Sequence, residues 1–283
     1  VRINSAYSHY VPHEFLRYLK RDSIIDVQLG DNVEMEAAVL VSDIRDFTTL
    51  SENMTPDENF TFINSYLAIA GPPIRRNGGF IDRYTGDSVM AVFPGGADDA
   101  LRAARDTMAS LAQFNLERER NEQSPIRVGI GMHLGRLRLG IVGELQRRQG
   151  DIFADAVNVA SRIEGMTKTF GSAVIVSEAF LANLSDAERA LPRRRALGRV
   201  VVKGRNEAVV LHEAFEFDAP DLVAHKLDTR AAFELAQQHY DARLYSEAIA
   251  LLGQILRAHD GDAAARYLLS QATARLREDV LVG

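Results

Sequence analysis

Two aspartates, an asparagine–arginine pair and a lysine carry most of the chemistry this sequence can offer. They are Asp43, Asp87, Asn158, Arg162 and Lys203. Asp43 ends the apolar run of "EMEAAVLVSDI", and Asp87 follows the turn in "FIDRYTGDSVMAVF". Two carboxylates at adjacent strand ends can hold two divalent cations, activate an attacking oxygen and neutralise a phosphate. Oxygen-only ligands suit magnesium or manganese. Each carboxylate alone also fits a polar turn or a helix cap. Asn158 and Arg162 are four residues apart in "DIFADAVNVASRIE", so a helix puts them on one face. There an amide and a guanidinium can bind a sugar oxygen and a phosphoryl group, or form a plain polar stripe. Lys203 ends the apolar "VVVK", as a point charge for terminal phosphates or as a solvated hairpin lysine.

These side chains need elements to position them. The run Ala37–Val41 predicts a buried strand leading into Asp43. "TPDE" predicts a helix start, with Thr55 as N-cap, Pro56 at N1 and Glu58 closing a capping box. Phe60, Ile63, Leu67 and Ala70 follow at helical spacing, and Gly78-Gly79 ends the segment. Thr85-Gly86-Asp87 then reads as a hairpin turn. A second amphipathic helix begins near Asp98, which is expected to cap it. "IRVGIGMHLG" and "RLRLGIVG" read as two strands, the segment from Asp155 as a helix, and "SAVIVS" as a strand. A hairpin turning at Gly204-Arg205-Asn206 closes the interleaved part near residue 217, which predicts α/β layers.

Two flanking regions complete the chain. Residues 1–33 read as an N-terminal linker with a short amphipathic helix opening near Pro12. Residues 218–283 are helical and rich in Ala and Leu, and resemble a tetratricopeptide-type helix pair with a following helix. Ala236, Ala248, Leu252 and Ile255 take its small or apolar positions, while Asp260 stands where such a repeat usually has proline. One repeat cannot bury its own face, so it must pack on something. A partner-docking tail and a helical cap on the preceding domain both fit.

The bulk numbers narrow the function classes. A 283-residue chain with 46% hydrophobic and 25% charged residues has the composition of an ordinary globular protein. Its net charge of −6 and lack of a basic segment argue against nucleic acid as a partner. With no cysteine, disulfides and thiolate metal sites are excluded. No apolar run is long enough to span a membrane. The chain begins with Val1 and shows no signal-peptide pattern, so a cytoplasmic portion of a longer protein is expected. A missing N-terminal region would be its membrane anchor, if it has one.

"SDIRDFTTLSE", "GGFIDRYTGDSVMAVF", "DIFADAVNVASRIE" and "VVVKGRNEAVVLHE" together resemble the consecutive signatures of class III nucleotidyl cyclases. The resemblance covers roughly residues 34–217. It implies a ferredoxin-like, palm-type βαββαβ domain with an extra C-terminal hairpin. It also implies a reaction in which a nucleoside triphosphate closes on itself and releases pyrophosphate, with two divalent cations (magnesium or manganese). Two catalytic domains would pair head-to-tail as a homodimer. Asp43, the Ile44 backbone and Asp87 would hold the metals on one chain, and Asn158 and Arg162 would come from the other. Phe47, Thr48 and Lys203 would bind phosphates.

Arg83 and Asp151 would read the base. Adenylate-forming members usually carry Lys at the first position and Asp at the second, so Arg83 is a departure. Adenine offers an acceptor at N1 and a donor at its amino group, which Arg83 and Asp151 can match; guanine offers the reverse. ATP is therefore the expected substrate, with altered base preference or a catalytically weak nucleotide-binding and partner-docking module as alternatives. Asp46 replaces the glycine usual in the first motif, and Ala154 another glycine. The phosphate-binding arginine of some members has no clear counterpart, with Arg127 and Arg136 standing nearest. His133 is read as structural. A silent module has no need of both metal carboxylates, which favours an active enzyme.

Overall fold

The apolar run Ala37–Val41 lies at the centre of the molecule because both of its faces are covered. It belongs to β1 (Asn32–Ile44). Ala38 and Leu40 join one core, while Ala37, Val39 and Val41 join another, as a period of two requires. By the same alternation Asp43 emerges on the face of Val39 and Val41. The computed structural model describes residues 13–21, 26–144, 148–201 and 208–282.

β1 leads into α2 (Phe47–Ser51) and α3 (Pro56–Arg76). The expected capping box closes α3: Thr55 Oγ1 accepts from the Glu58 N–H, and Glu58 Oε2 accepts from the Thr55 N–H at 2.8 Å. Such a cap stabilises by about 1 kcal/mol. The buried stripe differs from expectation. Phe62, Tyr66, Ala70 and Ile74 face the core, whereas Phe60 is 71% exposed. Phe62 is drawn inward by stacking on Phe47 and by the Arg118 guanidinium over its ring.

β2 (Phe80–Thr85) and β3 (Ser88–Phe93) form the expected hairpin. Thr85 pairs with Ser88, so Gly86-Asp87 is a two-residue loop. Gly86 has φ +64°, a conformation in which a side chain is strained, at the position where type II′ turns want glycine. α4 (Ala97–Arg120) follows, but Asp98 does not cap it. Gly96 precedes the helix, and the Asp98 carboxylate instead accepts from the Ser185 N–H at 3.0 Å.

The two strands expected next are one, β4 (Val128–Gly143). Pairing with β1 along its length keeps it extended through Gly135-Arg136. On its other side, the first part pairs in parallel with β6 (Val174–Ser177), and the last part antiparallel with β5 (Arg148–Phe153). β5 was not expected as a strand, because "RQGDIF" is too polar to show alternation. α5 (Asp155–Phe170) joins β5 to β6. A Cβ on Gly131 of β4 would collide with the α5 backbone at Ala160 and Glu164, so glycine lets helix and strand touch.

The short helices α6 (Glu178–Ala182) and α7 (Asp186–Arg189) precede β7 (Arg194–Val201) and β8 (Ala208–Ala214). The sheet order is β2-β3-β1-β4-β6-β8-β7, with β5 off that path. The chain order β1-α3-β2-β3-α4-β4 with this pairing is the ferredoxin-like arrangement expected, and β8 and β7 extend its edge. The turn at Gly204-Arg205-Asn206 lies outside the described residues.

Two regions lie against this body. From α1 (His13–Tyr18), the Tyr18 ring reaches Phe80 at the start of β2, with centroids 6.3 Å apart. At the other end, α8 (Pro220–Asp241), α9 (Tyr245–Ala258) and α10 (Ala263–Val282) pack on α5 and the β7–β8 hairpin. Ala236, Ala248, Leu252 and Ile255 are buried, in one core with Ile163, Leu197 and Leu211. A buried ionic network adds to it. Arg195 binds Asp262 through two nitrogens, at 2.8 and 2.6 Å, and Glu213 through its Nε. Lys226 binds Glu213 and Asp218, at 2.8 and 2.6 Å. The Arg195 guanidinium also sits 3.9 Å from the centroid of the Phe233 ring. No helix among the described residues is long and apolar enough to cross a membrane.

Candidate active site

The β1–β3 pairing brings the two expected carboxyls together. Ser42 lies opposite Val89, so the end of β1 meets the β2–β3 turn. There the Ile44 N–H donates to Asp87 Oδ2 at 3.0 Å, a buried bond. The Asp43 carboxyl is hydrogen-bonded to that of Asp87. Burial, with the Asp87 and Glu164 carboxyls close by, pushes Asp43 up to about 8 against the pull of the Ile44 N–H. Burial and these neighbours thus favour the neutral form of Asp43.

Two residues behind this pair carried no assigned role in the sequence. Glu164 is 8% exposed and binds Arg45, with Nη1 to Oε1 at 3.1 Å. Burial raises Glu164, and Arg45 opposes the rise. Glu164 comes one turn after the buried Ala160. A charge on the buried face of a helix needs a partner, and that was the available signal.

Phe47 and Thr48 open α2, where first-turn amides lack intrahelical partners. Asp46 precedes them with φ +55° and ψ +30°. It thus keeps the left-handed conformation a glycine adopts freely, which aspartate tolerates better than most residues. Its carboxylate does not cap α2 and instead binds Lys168 at 2.7 Å.

Arg83 and Asp151 meet directly, through Nη2 and Oδ1. Between their strands stand β3, β1 and β4, a flat span of roughly 19 Å at the usual strand spacing. The contact therefore requires the sheet to curl. Arg83 is aimed by a register shift in β2 at Asp82 and by the Asp82 carboxylate, which accepts from Arg83 Nε at 2.7 Å. The Asp82 side chain is only 4% exposed. The Ile152 N–H also donates to Asp151 Oδ1, at 2.8 Å.

Asn158 and Arg162 are both exposed on α5, and their side chains make no hydrogen bond or ion pair to another described residue. Glu164, two positions beyond Arg162, faces the Asp43 and Asp87 carboxyls. At 3.6 residues per turn, Arg162 lies roughly 160° away around the helix. One chain thus shows its own carboxyl pair the opposite side of α5. Lys203 lies outside the described residues. His133 is buried, with Nδ1 2.7 Å from Ser177 Oγ, and that oxygen accepts from the Phe180 N–H to cap α6. Arg127 and Arg136 are both 81% exposed, near Asp46 and Glu34 respectively.

The carboxyl pair suits a hard cation. Its repulsion is what a dication relieves, and its donors are all oxygen. The described residues hold no cluster of three or more acidic, histidine or cysteine side chains able to bind a metal. The chain would then supply Asp43, Asp87 and a backbone oxygen at Ile44. Substrate phosphates and water complete such shells for magnesium.

The family model described as the adenylate and guanylate cyclase catalytic domain matches residues 31–213. An adenylate cyclase of Anabaena cylindrica is 39% identical over 213 residues, covering 74% of this chain and 42% of that protein. The terminal-differentiation-specific adenylate cyclase of Dictyostelium discoideum is 32% identical over 252 residues, covering 87% of this chain and 12% of that protein. The chain thus spans less than half the length of either relative. A solved structure of a bacterial light-regulated adenylyl cyclase superposes with a TM-score of 0.66 at 25% identity, covering 80% of this chain and 67% of that one.

Proposed function

The chain belongs to the adenylate and guanylate cyclase catalytic-domain family, and we propose that it closes ATP into 3′,5′-cyclic AMP and pyrophosphate as a homodimer. The ribose 3′-oxygen attacks the α-phosphorus, and the bond from that phosphorus to the β-phosphate's bridging oxygen breaks. Two divalent cations at Asp43, Asp87 and the Ile44 backbone would supply charge neutralisation and a more acidic 3′-hydroxyl. Asn158 orients the ribose, and Arg162 stabilises charge growing on the α-phosphoryl oxygens. Phe47 and Thr48 amides hold phosphate oxygens, and Lys203 holds the distal phosphates.

The observation that carries the dimer is the arrangement on α5. Glu164 faces the carboxyl pair, so Arg162 of the same chain is turned away from it. A second copy, head-to-tail, can present its Asn158 and Arg162 to that pair.

Arg83 and Asp151 support adenine. Their mutual contact uses Nη2 and Oδ1, and Asp82 takes Nε. Nη1 of Arg83 and Oδ2 of Asp151 remain without a partner among the described residues, a donor beside an acceptor. Adenine N1 and its amino group match that polarity, whereas guanine meets donor with donor. Cytosine shares the adenine pattern, so Arg83 makes CTP the competing substrate.

The chain would serve as a cytoplasmic output domain of a larger signalling protein. Its tetratricopeptide-like tail uses its apolar side against the catalytic body. A protein partner would therefore meet the exposed Leu227, Leu235 and Leu244.

The test is to incubate the purified chain with ATP, GTP, CTP and UTP in turn, with magnesium or manganese, and identify products by mass spectrometry. Cyclic AMP as the main product is expected. Another cyclic nucleotide would overturn the reading of Arg83 and Asp151. No cyclic product from a dimeric protein would overturn the enzymatic reading.

A further inference from the structure

Nothing in the reaction proposed above uses the helical tail, yet the tail closes on the helix that carries Asn158 and Arg162. That helix, α5, has three sides. Asn158 and Arg162 are exposed on one. A second rests on β4 through small groups: Ala156 lies over Gly135, and the backbone at Ala160 and Glu164 lies over Gly131. Such a contact brings helix and strand close but offers no large side chain to key one against the other along the axis. Ion pairs from Arg45 to Glu164 and from Asp46 to Lys168 tether this side to the turn after β1. The third side is the bulky one. Val159, Ile163 and Phe170 share a core with Leu211 of β8 and Leu268 of α10.

Helices α5 and α10 meet end to start. Gly171 closes α5 in the left-handed conformation, with φ +62°. A Cβ there would also collide with Ala263, the first residue of α10. Four residues on, the Tyr267 ring stands edge-on to Phe170, with centroids 5.0 Å apart. The start of α10 is itself fixed. Asp262 accepts from the Ala265 N–H at 3.1 Å, as an N-cap does, while both of its oxygens bind Arg195 of β7. An anchored α10 thus abuts the C-terminal end of α5.

We propose that α10 sets where α5 lies along its own axis, with Tyr267 as a positioning residue that acts through Phe170 on Asn158 and Arg162. Phe170 is eight residues beyond Arg162, about 12 Å at 1.5 Å per residue. A hydrogen-bonded helix carries an axial shift over that distance as a rod. A displacement of about 1 Å at reacting groups can cost about 10²-fold in rate. The tail is then a working part of the catalytic unit. This positioning role rests on the cyclase reading; the hold of α10 on α5 does not.

Variants of the full chain at Tyr267 test both halves, by product formation from ATP and by hydrogen exchange in α5. Tyr267→Ala should lower kcat about tenfold and change KM for ATP less than twofold, because Arg83, Asp151 and the carboxyl pair lie on the strands and their turns. It should also raise exchange at the Phe170 end of α5 several-fold. Tyr267→Phe keeps the ring and should restore kcat to within about twofold of the unmutated chain. Tyr245→Ala is the control. It removes a ring that packs on Tyr240 at the α8–α9 joint, with centroids 5.6 Å apart, and should lower the melting temperature while leaving kcat unchanged. If Tyr267→Ala does not fold, Tyr267→Leu takes its place with the same expectation. Unchanged kcat in the folded variant, or an equal fall in Tyr245→Ala, would overturn the positioning role. Unchanged exchange in α5 would overturn the hold itself. An unmutated chain that forms no cyclic product would overturn the cyclase reading, and exchange in α5 alone then decides the hold.

Discussion

The Ile44 N–H and the Asp87 carboxylate are joined by a buried hydrogen bond of 3.0 Å, between residues 43 positions apart. That bond fastens the β2–β3 turn to the end of β1 and sets Asp87 beside Asp43. The same oxygen atoms thus serve the fold and the proposed metals.

Asp87→Asn keeps an oxygen able to accept from Ile44 while removing the charge. It should stay folded, shift the melting temperature by only a few degrees, and lose turnover by about 10²-fold or more. Asp43→Asn should behave alike. Melting curves beside product assays in magnesium and manganese check this. Retained turnover in both variants would remove these carboxyls from the mechanism.

Two inactive variants should restore each other. Asp43→Ala lacks the metal side of each site, and Arg162→Ala lacks the transition-state side. A mixed dimer has one intact site. Random exchange of equal amounts should therefore recover about a quarter of the unmutated activity. No recovery, from chains shown to exchange, would contradict a site shared between chains.

In the proposed base site, Asp82 would act through Arg83, as a positioning residue. Asp82→Asn keeps the shape but weakens the hold on Nε. It should raise KM for ATP about tenfold, change kcat less, and narrow the preference for ATP over CTP. A purely structural role would lower stability and leave the ratio of the two substrates unchanged.

The Arg195 network makes the docking of the helical tail sensitive to acid. Burial pushes Asp262 up, but its bonds to Arg195 more than offset this and hold it below the ordinary 3.8. A carboxylate lowered in the folded state contributes stability above pH 3.8 and loses it as pH falls through its own lower value. Below about pH 4, hydrogen exchange should rise in α10 before it rises in β1. At neutral pH, Arg195→Met leaves Asp262 without its cation and Glu213 with Lys226 alone, and should cost about 3–5 kcal/mol in urea unfolding. Equal exchange in α10 and β1 at every pH would separate the network from tail docking.

We propose that the N-terminal segment carries an activating signal: Tyr18 packs on Phe80, three residues before Arg83. Deleting residues 1–30 should change both dimerisation and turnover, measured by sedimentation and product assay. If neither changes, the signal enters elsewhere.

Much of this was legible in the sequence because local rules carry it. The capping box at Thr55, the Gly86-Asp87 turn and the two-sided burial of Ala37–Val41 each leave a mark within a few residues. Asp43 and Asp87 were found by the strand ends they occupy. What escaped depends on distant partners. Glu164 meets Arg45 across 119 positions; its place on a buried helix face calls for a partner, but nothing nearby says which residue that is. β5 is a strand because β4 offers it an edge, not because its own residues alternate. Phe60 and Phe62 both suit a helix; the stacking of Phe47 chooses between them. The tail could be read as helices, yet its attachment through Arg195 and Asp262 spans 67 positions and leaves no periodic trace.

Arg83 and Asp151 sit on strands that would be far apart in a flat sheet. If they read the base as proposed, nucleotide choice would be tied to the shape of the whole β-layer, and the two side chains would only report it. Anything that opens that arc would part the donor from the acceptor, while Asp43 and Asp87, at the ends of neighbouring paired strands, would stay together. Fidelity would fail ahead of speed, and a strained enzyme would be recognised first by the wrong product.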